Sequence, residues 1–362
     1  MIMNFTKKGR VHFHTFDSLR FLSFLLVFLR HSPVPVDSFL YYFSKEGGIG
    51  VSFFFVLSGF LITYILILEK INNNGTIPLK KFFTRRILRI WPLYYAMVLF
   101  AICTPFILDF FNISYSNEGY QPNWLFTLTF LENYMAMYTN QLPNVSPITV
   151  IWSLCIEEHF YIFWGLAFYF ISLKNIPKLL LGSIVFSFIM QMMYGKLQIP
   201  TLDLFTNIHY FAFGAIPAYI FVFREDLIQK LETVSAVYKY SYAFLVLAFI
   251  VFIGNSIIIS NPALISFLLS VFFSGLILST LGTKNVFKIS DQSILAKLGK
   301  YTYGLYLFHT ILIMLFIKIG NRFNLNWMLI VALSFIASVV CSVLSYHIFE
   351  KQFLKLKSKI ST

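Results

Sequence analysis

The first apolar segment of the chain carries a cation and an imidazole, two residue types that are costly against lipid and normally face a polar interior. Arg20 and His31 lie eleven residues apart in "DSLRFLSFLLVFLRH". In an α-helix this spacing places both side chains on one stripe, about 16 Å apart along the axis, and Asp17 shares that face. Two interpretations stay open for the stripe. It faces a polar interior that spares the charges from lipid, or its residues snorkel to water at the two membrane boundaries. For Arg30, which lies off the stripe, we favour snorkelling.

Further ionisable residues lie deep within other apolar segments. "ITVIWSLCIEEHFYIFWGL" places Glu157, Glu158 and His159 near mid-membrane, where buried carboxylates are costly unless they are paired or protonated. His309 lies in "YTYGLYLFHTILI" and is either a hydrogen-bonded core residue or part of a site. Since isolated polar defects are hard to stabilise in lipid, we expect these residues and the Arg20–His31 stripe to share one polar cavity.

A basic segment, "LKKFFTRRILRIWPLYY", is the second concentration of possible chemistry. Arg86 and Arg89 lie one helical turn apart, as do Arg85 and Arg89, and Lys81 adds a further charge. Paired guanidinium groups bind phosphate oxygens through two parallel hydrogen bonds. The alternative is that a basic segment at the inner boundary only satisfies topology and anionic lipid.

The elements that position these residues are predicted to be membrane-spanning helices. Of 362 residues, 58% are hydrophobic and 12% are charged, about half the charged fraction of a soluble protein. The stretch 124–138, with Glu132 and Asn133, is too short to span and suits a re-entrant or interfacial helix. We therefore predict an all-α, polytopic membrane helix bundle of about ten transmembrane helices, near 13–31, 48–68, 87–110, 148–173, 178–195, 205–223, 241–259, 263–281, 301–319 and 327–349.

Charge asymmetry predicts that both termini are cytoplasmic. With that orientation most Lys and Arg residues fall in the inner segments, and the outer loops hold only Lys45, Lys196, Lys318 and Arg322. Basic inner loops facing anionic lipid account for most of the net charge of +13, so no nucleic-acid partner is expected. No removable signal peptide is predicted, and the three cysteines show no metal-ligand spacing, so no metal is predicted.

Five segments, in this order, resemble the membrane-bound acyltransferases of family three. They are "FDSLRFLSFLLVFLRH", "GGIGVSFFFVLSGFLIT", "RRILRIWPLYY", "WSLCIEEHFYIFW" and "GKYTYGLYLFH". The resemblance covers residues 14 to 352 and implies O-acetylation of a cell-surface or lipid-linked saccharide, with cytoplasmic acetyl-CoA as donor, in the bacterial inner membrane. It also implies one integral-membrane domain over 1–362, of the stand-alone type that lacks an attached hydrolase-like domain.

The resemblance also implies roles for single residues. The family's arginine–ten residues–histidine pattern matches Arg20 and His31, and its arginine–two residues–arginine pattern matches Arg86 and Arg89. His159 stands where the family often has glutamine, so we keep it apart from the site. The predicted catalytic residues are His31, Arg20, Glu157 and His309, and the predicted acetyl-CoA-binding residues are Arg86, Arg89, Arg85 and Lys81.

Two mechanisms and a second function remain open at this point. His31 acts as general base on a sugar hydroxyl or accepts the acetyl group itself. Intramembrane His and Glu residues also suit a proton-coupled transporter or flippase of a glycan or lipid-linked intermediate, although no inverted repeat is detectable. The sequence does not predict the acceptor sugar, the acyl chain or the oligomeric state.

Overall fold

The computed structural model describes residues 11–112, 118–253 and 261–361, and their side chains except those of residues 253 and 357–361. Within these ranges the chain is helical, without a strand, which confirms the all-α prediction. Each of the ten predicted segments coincides with a helix of 18 or more residues. These helices are α1 His14–His31, α2 Ile49–Asn72, α3 Leu79–Phe110, α4 Trp152–Phe170, α5 Ile176–Leu197, α6 Leu204–Phe223, α7 Ala236–Ile253, α8 Pro262–Thr280, α9 Thr302–Phe323 and α10 Trp327–Ser345.

Most of these helices are able to cross a membrane. Among the described residues seven helices are long and apolar enough on their own, and α7 makes an eighth together with the short helix Glu225–Thr233, from which it is bent by 96°. The remaining two, α1 and α4, carry the intramembrane ionisable residues, which lower their hydropathy. The protein is therefore a multi-pass helix bundle with seven to eight candidate spans, and ten spans stays the prediction.

Helices α2 and α6 form the centre of the bundle. A Cβ built on Gly59 would lie 2.1 Å from the Phe211 carbonyl oxygen, and one on Gly214 would lie 1.9 Å from the Val56 carbonyl oxygen. The two helices therefore touch backbone to backbone, as small residues permit in membranes. This close packing fixes the position of α2, and α1 and α4 pack against its other faces.

The stretch 124–138 forms two short helices, Trp124–Leu128 and Glu132–Thr139, neither of which is long enough to span. The chain reverses between them at Phe130, which has a φ of +59°. Glu132 is fully buried and accepts hydrogen bonds from the hydroxyl groups of Tyr120 and Thr127. The structure thus has the expected short helical element, built as a hairpin against α3, where Tyr94 donates to the Thr127 carbonyl at 2.6 Å.

Candidate functional site

Arg20 lies on the face of α1 that is turned toward the bundle. Its guanidinium pairs with Asp17 at 2.5 Å, and the two side chains are only 20% and 21% exposed. The charge of Arg89 on α3 and the hydroxyl of Tyr161 on α4 both act electrostatically on Arg20. These neighbours favour the interpretation in which Arg20 faces a polar interior.

Glu157 and Tyr161 extend the cluster along α4. The Glu157 carboxylate accepts hydrogen bonds from the hydroxyl groups of Ser58 on α2 and Tyr161 on α4. The Arg86 guanidinium lies over the Tyr161 ring, with Cζ 5.9 Å from its centroid. One acidic, one phenolic and two guanidinium groups from α1, α3 and α4 are therefore brought together, and a single cavity shared with His31 and His309 stays a prediction.

Two more carboxylates belong to this set. Glu158 is 8% exposed, and its Oε2 accepts from the indole nitrogen of Trp91 at 3.3 Å, while the charge of Arg86 also acts on it. Glu350 lies on a five-residue π-helical segment, Tyr346–Glu350, accepts from Ser345 at 3.1 Å and interacts with the charge of Arg89. We call Arg20, Arg86, Arg89, Asp17, Glu157, Glu158 and Glu350 the arginine cluster.

The other two predicted donor-binding residues have different surroundings. Arg85 is buried and forms an ion pair with Glu69 of α2 at 2.6 Å. Lys81 lies in the first turn of α3 and is half-buried, whereas Arg89 is exposed. The structure therefore places Arg86 and Arg89 in the arginine cluster and gives Arg85 a partner in α2, where it fixes α3 against its neighbour.

His31 and His309 form a pair at the other end of the α1 stripe. Their ring centroids are 5.2 Å apart with an interplanar angle of 64°. His31 is exposed, whereas His309 is fully buried. This histidine pair joins α1 to α9, so the stripe faces a neighbouring helix here as well. Arg30, off the stripe, is exposed and donates to the Lys45 carbonyl at 3.3 Å, as expected of a boundary residue.

The hydrogen bonds of His309 define its tautomer. Its Nδ1 lies 2.7 Å from the Tyr306 carbonyl oxygen, and since a carbonyl only accepts, Nδ1 carries the proton. Nε2 is then a lone-pair acceptor, and it has no hydrogen-bond partner among the described residues. An unsatisfied buried nitrogen requires an explanation, and the neighbouring imidazole of His31 offers one.

Hydrogen bonds hold α9 beside the segment that enters α4, next to the histidine pair. The Tyr306 hydroxyl donates to the Val150 carbonyl at 3.0 Å and lies 2.5 Å from Ser153 Oγ. Thr310 donates to the Ser146 carbonyl at 3.2 Å. These bonds join α9 to the segment that enters α4, so the helix with His309 and the helix with Glu157 keep a fixed relation.

His159 lies apart from both groups. Its ring stacks on Tyr134 of the short helical hairpin with centroids 5.6 Å apart, and it is half-buried. Sequence reasoning missed Ser58 and Trp91, which contact the two glutamates. The polar Ser58 within the apolar run "FFFVLSGFLIT" was the one available signal for the first of them.

The comparison with known proteins decides the family. A family model described as "Acyltransferase domain" matches residues 13–347. The chain belongs to this acyltransferase family. The match confirms the family resemblance found in the sequence. No solved structure was found to match the chain.

Several proteins similar to this chain are named as O-acetyltransferases or putative O-acetyltransferases. The chain is 34% identical over 188 residues to the peptidoglycan O-acetyltransferase OatA of Listeria monocytogenes, over 50% of this chain and 28% of that protein. It is 35% identical over 127 residues to a putative peptidoglycan O-acetyltransferase, YrhL, of Bacillus subtilis, over 33% of this chain and 19% of that protein. A putative O-acetyltransferase of Staphylococcus aureus is 25% identical over 345 residues, 87% of this chain and 55% of that protein. The chain thus spans about half, or less, of the length of these relatives.

Proposed function

We propose that this protein is a membrane O-acetyltransferase that moves an acetyl group from cytoplasmic acetyl-CoA to a hydroxyl of a saccharide on the outer side of the inner membrane. The observation that carries the proposal is the arrangement on α1. Arg20 joins a cluster of guanidinium groups, and His31 pairs with a second histidine, on one uninterrupted helix. All predicted site residues fall within the matched region 13–347, which supports one membrane domain.

The donor end of the site is the arginine cluster. Guanidinium groups bind phosphate oxygens through paired hydrogen bonds, and coenzyme A carries several phosphates. Exposed Arg89 and half-buried Arg86 bind the nucleotide phosphates, and Lys81 supplies further positive charge. The Asp17 carboxylate holds the Arg20 guanidinium in an ion pair, and the charge of Arg86 acts on Glu158, because buried charges need partners.

The acyl arm of the donor lies along the face of α1 that carries Arg20 and His31. Arg20 and His31 are about 16 Å apart along the helix axis, a span comparable to an extended pantetheine arm. A donor bound at the arginine cluster thereby presents its thioester to the histidine pair. The acceptor saccharide approaches from the outer side, where His31 is exposed.

His31 acts as the general base. A ring nitrogen of His31 takes the proton from the sugar hydroxyl, and the hydroxyl oxygen attacks the thioester carbonyl carbon. The carbon–sulfur bond then breaks, and the imidazolium returns the proton to the leaving thiolate, giving the acetyl ester and free coenzyme A. His309 is a positioning residue, because its Nε2 lone pair can accept the N–H of His31 and so orient the other nitrogen toward the acceptor.

Transfer of isotope-labelled acetyl groups tests this function. Purified full-length protein in detergent is incubated with acetyl-CoA labelled in the acetyl group and with a peptidoglycan-derived saccharide, and the product is analysed by mass spectrometry. We expect labelled ester on the saccharide and a matching release of free coenzyme A. Movement of a saccharide across proteoliposomes without any ester formation would instead establish the transporter alternative and overturn the proposal.

A further inference from the structure

A second cluster of metal-ligating side chains lies at the start of α1, outside the arginine cluster and the histidine pair. His12, His14 and Asp291 each offer one ligand atom, and these atoms all lie within 4.8 Å of one another. His12 Nε2 is 3.2 Å and His14 Nδ1 is 2.5 Å from the same oxygen of Asp291. The two histidine side chains are 61% and 49% exposed, so an ion can reach them from water.

Local backbone structure places the two histidines on the same side. Residue 13 is extended, with φ −97° and ψ 90°, and α1 begins at His14. Side chains alternate along an extended backbone, and Phe13 points into the bundle, where its ring packs against Phe60 and Tyr64 at centroid distances of 4.9 and 5.1 Å. His12 and His14 are left on the opposite side with their ring centroids 4.8 Å apart.

Asp291 is held in position by the connection between α8 and α9. On one side of it, the Ile289 amide donates to Thr15 Oγ1 at 3.2 Å, which fastens this connection to the first turn of α1. On the other side, Ser293 caps the short helix Ile294–Gly299 by accepting from the Ala296 amide at 3.1 Å. The carboxylate therefore faces the two imidazoles because its neighbours in the chain are anchored on both sides.

We propose that His12, His14 and Asp291 form a binding site for a divalent transition-metal ion, with Zn²⁺ as the best match. Two imidazole nitrogens, one carboxylate oxygen and an open fourth position for water are a ligand set that Zn²⁺ accepts. Metal–ligand bonds of about 2.0–2.2 Å in a tetrahedron separate neighbouring ligand atoms by about 3.3 Å. The His12–Asp291 distance already fits, and His14 needs to withdraw from Asp291 by less than about 1 Å, a small movement for an exposed side chain.

The ion would act as a clasp between the start of α1 and the α8–α9 connection. The site lies beside a cavity of about 340 Å³ that is also lined by Phe16, Phe221 and Lys288. It does not include the arginine cluster or the histidine pair, so its role is to fix the end of the helix that carries Arg20. The site exists only when these two segments, which are far apart in sequence, are folded together. An ion that binds it therefore stabilises the folded protein by mass action.

Zinc binding to the purified protein tests the site. Full-length protein with a non-histidine affinity tag is stripped with a chelator and titrated with Zn²⁺ by calorimetry, and Co²⁺ is used as a spectroscopic probe. We expect one ion per chain and an intense visible Co²⁺ spectrum of a four-coordinate site. Replacing a residue that only hydrogen-bonds to a metal ligand weakens metal binding roughly 10- to 100-fold. Replacing a ligand itself costs more, so His12→Ala, His14→Ala and Asp291→Asn should each weaken Zn²⁺ binding at least about 100-fold.

The matched control is His347→Gln, which removes another exposed histidine and should leave Zn²⁺ affinity unchanged. Asp291→Asn keeps the shape of the side chain, and gel filtration with thermal unfolding in the absence of metal checks that each variant folds. The proposal is overturned if the wild-type protein takes up no Zn²⁺. It is also overturned if the variant that combines His12→Ala, His14→Ala and Asp291→Asn binds Zn²⁺ as tightly as wild type. In that case the three residues form a hydrogen-bonded cluster only. The measurement needs neither donor nor acceptor, so its outcome is independent of acetyl transfer.

Discussion

His309 has one ring nitrogen bonded to a backbone carbonyl and the other without a partner among the described residues. A buried nitrogen that can only accept imposes a direction on any hydrogen bond with His31, since His31 must then donate. With such a bond the second nitrogen of His31 would be free to act as the base. The proposed chemistry therefore rests on two residues that are far apart in the chain and have ring centroids 5.2 Å apart.

Replacement of His31 tests the general base. We expect His31→Ala to reduce acetyl transfer at least about 100-fold, because proton transfer by a positioned side chain contributes on the order of 10² to 10⁴ in rate. His309→Ala should cause a smaller loss, since the base remains but is no longer oriented. Initial rates with labelled acetyl-CoA, at saturating donor and acceptor, measure both effects.

The matched control for these variants is His159→Gln, because His159 stacks on Tyr134 and does not join the histidine pair. It should keep activity close to wild type while His31→Ala loses it. Full activity in His31→Ala, with normal membrane insertion, would contradict the assigned role of the imidazole.

The arginines of α3 should govern the requirement for donor. We expect Arg86→Ala combined with Arg89→Ala to raise KM for acetyl-CoA at least about 100-fold, since hydrogen bonds to charged groups contribute about 1.5–3 kcal/mol each and every 1.4 kcal/mol is a factor of about ten. The effect of the pair on kcat should be smaller. Steady-state kinetics over a range of acetyl-CoA concentrations provide the measurement.

Arg224→Ala is the control for this pair, because Arg224 is an exposed arginine whose guanidinium contacts only Asp226 among the described hydrogen bonds. It should leave the KM for acetyl-CoA unchanged. If the double variant shows the same KM as wild type, the two arginines serve topology and lipid contact instead of donor binding.

For individual residues, the sequence predicted which side chains share a face of one helix. It did not predict the contacts between residues of different helices, which depend on packing. The eleven-residue spacing of Arg20 and His31 places both on one stripe of α1 because helix geometry is regular. The partners of that stripe, Arg89 and His309, come from other helices, and their approach follows from how the helices pack. The Arg85–Glu69 ion pair was unforeseen for the same reason, since it joins α3 to α2.

Helices α2 and α6 form the central contact of the bundle. Gly59 and Gly214 lie where each helix meets the backbone of the other. In lipid the helices gain no hydrophobic free energy from contact with each other, so close van der Waals packing at small residues stabilises the pair. Ser58, next to Gly59, is thereby placed to donate to Glu157.

Gly59→Ala should destabilise the protein by about 1–3 kcal/mol, because an added methyl group in a well-packed contact forces the backbones apart. The Cβ would lie 2.1 Å from the Phe211 carbonyl oxygen. Thermal unfolding of the purified protein in detergent should show a lower apparent Tm, and activity should fall as Ser58 moves away from Glu157.

Gly182→Ala is the matched control, because a Cβ at Gly182 on α5 meets nothing within 4 Å. Replacing a helical glycine by alanine at an open position improves helix propensity by about 1 kcal/mol, so this variant should be as stable as wild type or slightly more so. Equal destabilisation by both substitutions would show that the loss does not come from the α2–α6 contact.

The helices themselves were predicted well, because long apolar runs have few other structures available in lipid. Two details were not. The bend between Glu225–Thr233 and α7 arises where two helical segments meet at a short break, and the reversal at Phe130 requires a left-handed backbone that its residue type does not indicate. Such local geometry depends on contacts with neighbouring helices and not on hydropathy.

For the whole molecule, orientation in the membrane decides which end of the α1 stripe receives donor. The excess of Lys and Arg in alternate loops predicts that the loop after α2 is cytoplasmic and that the 118–147 connection is outside. Under the proposed function, this orientation would put the start of α3, with Arg86 and Arg89, on the side where acetyl-CoA is available. The histidine pair would then lie toward the acceptor saccharide.

Cysteine labelling of intact cells tests the orientation. In a background with Cys103→Ala and Cys341→Ala, we expect a membrane-impermeant maleimide to label Gln141→Cys in intact cells. Thr76→Cys should be labelled only after permeabilisation. Both positions are exposed in loops, so accessibility and not burial determines the result. The reverse pattern would mean that the donor end of the stripe faces outward.

Acetyl transfer between two separated compartments tests the central claim most directly. Proteoliposomes with the protein in one orientation receive labelled acetyl-CoA only on the side of the arginine cluster and saccharide only on the side of the histidine pair. We predict labelled acetyl ester on the saccharide with wild-type protein and none with His31→Ala, while acetyl-CoA binding by that variant is unchanged. Ester formation only when donor and acceptor share one compartment would contradict the claim that the α1 stripe connects the two sides.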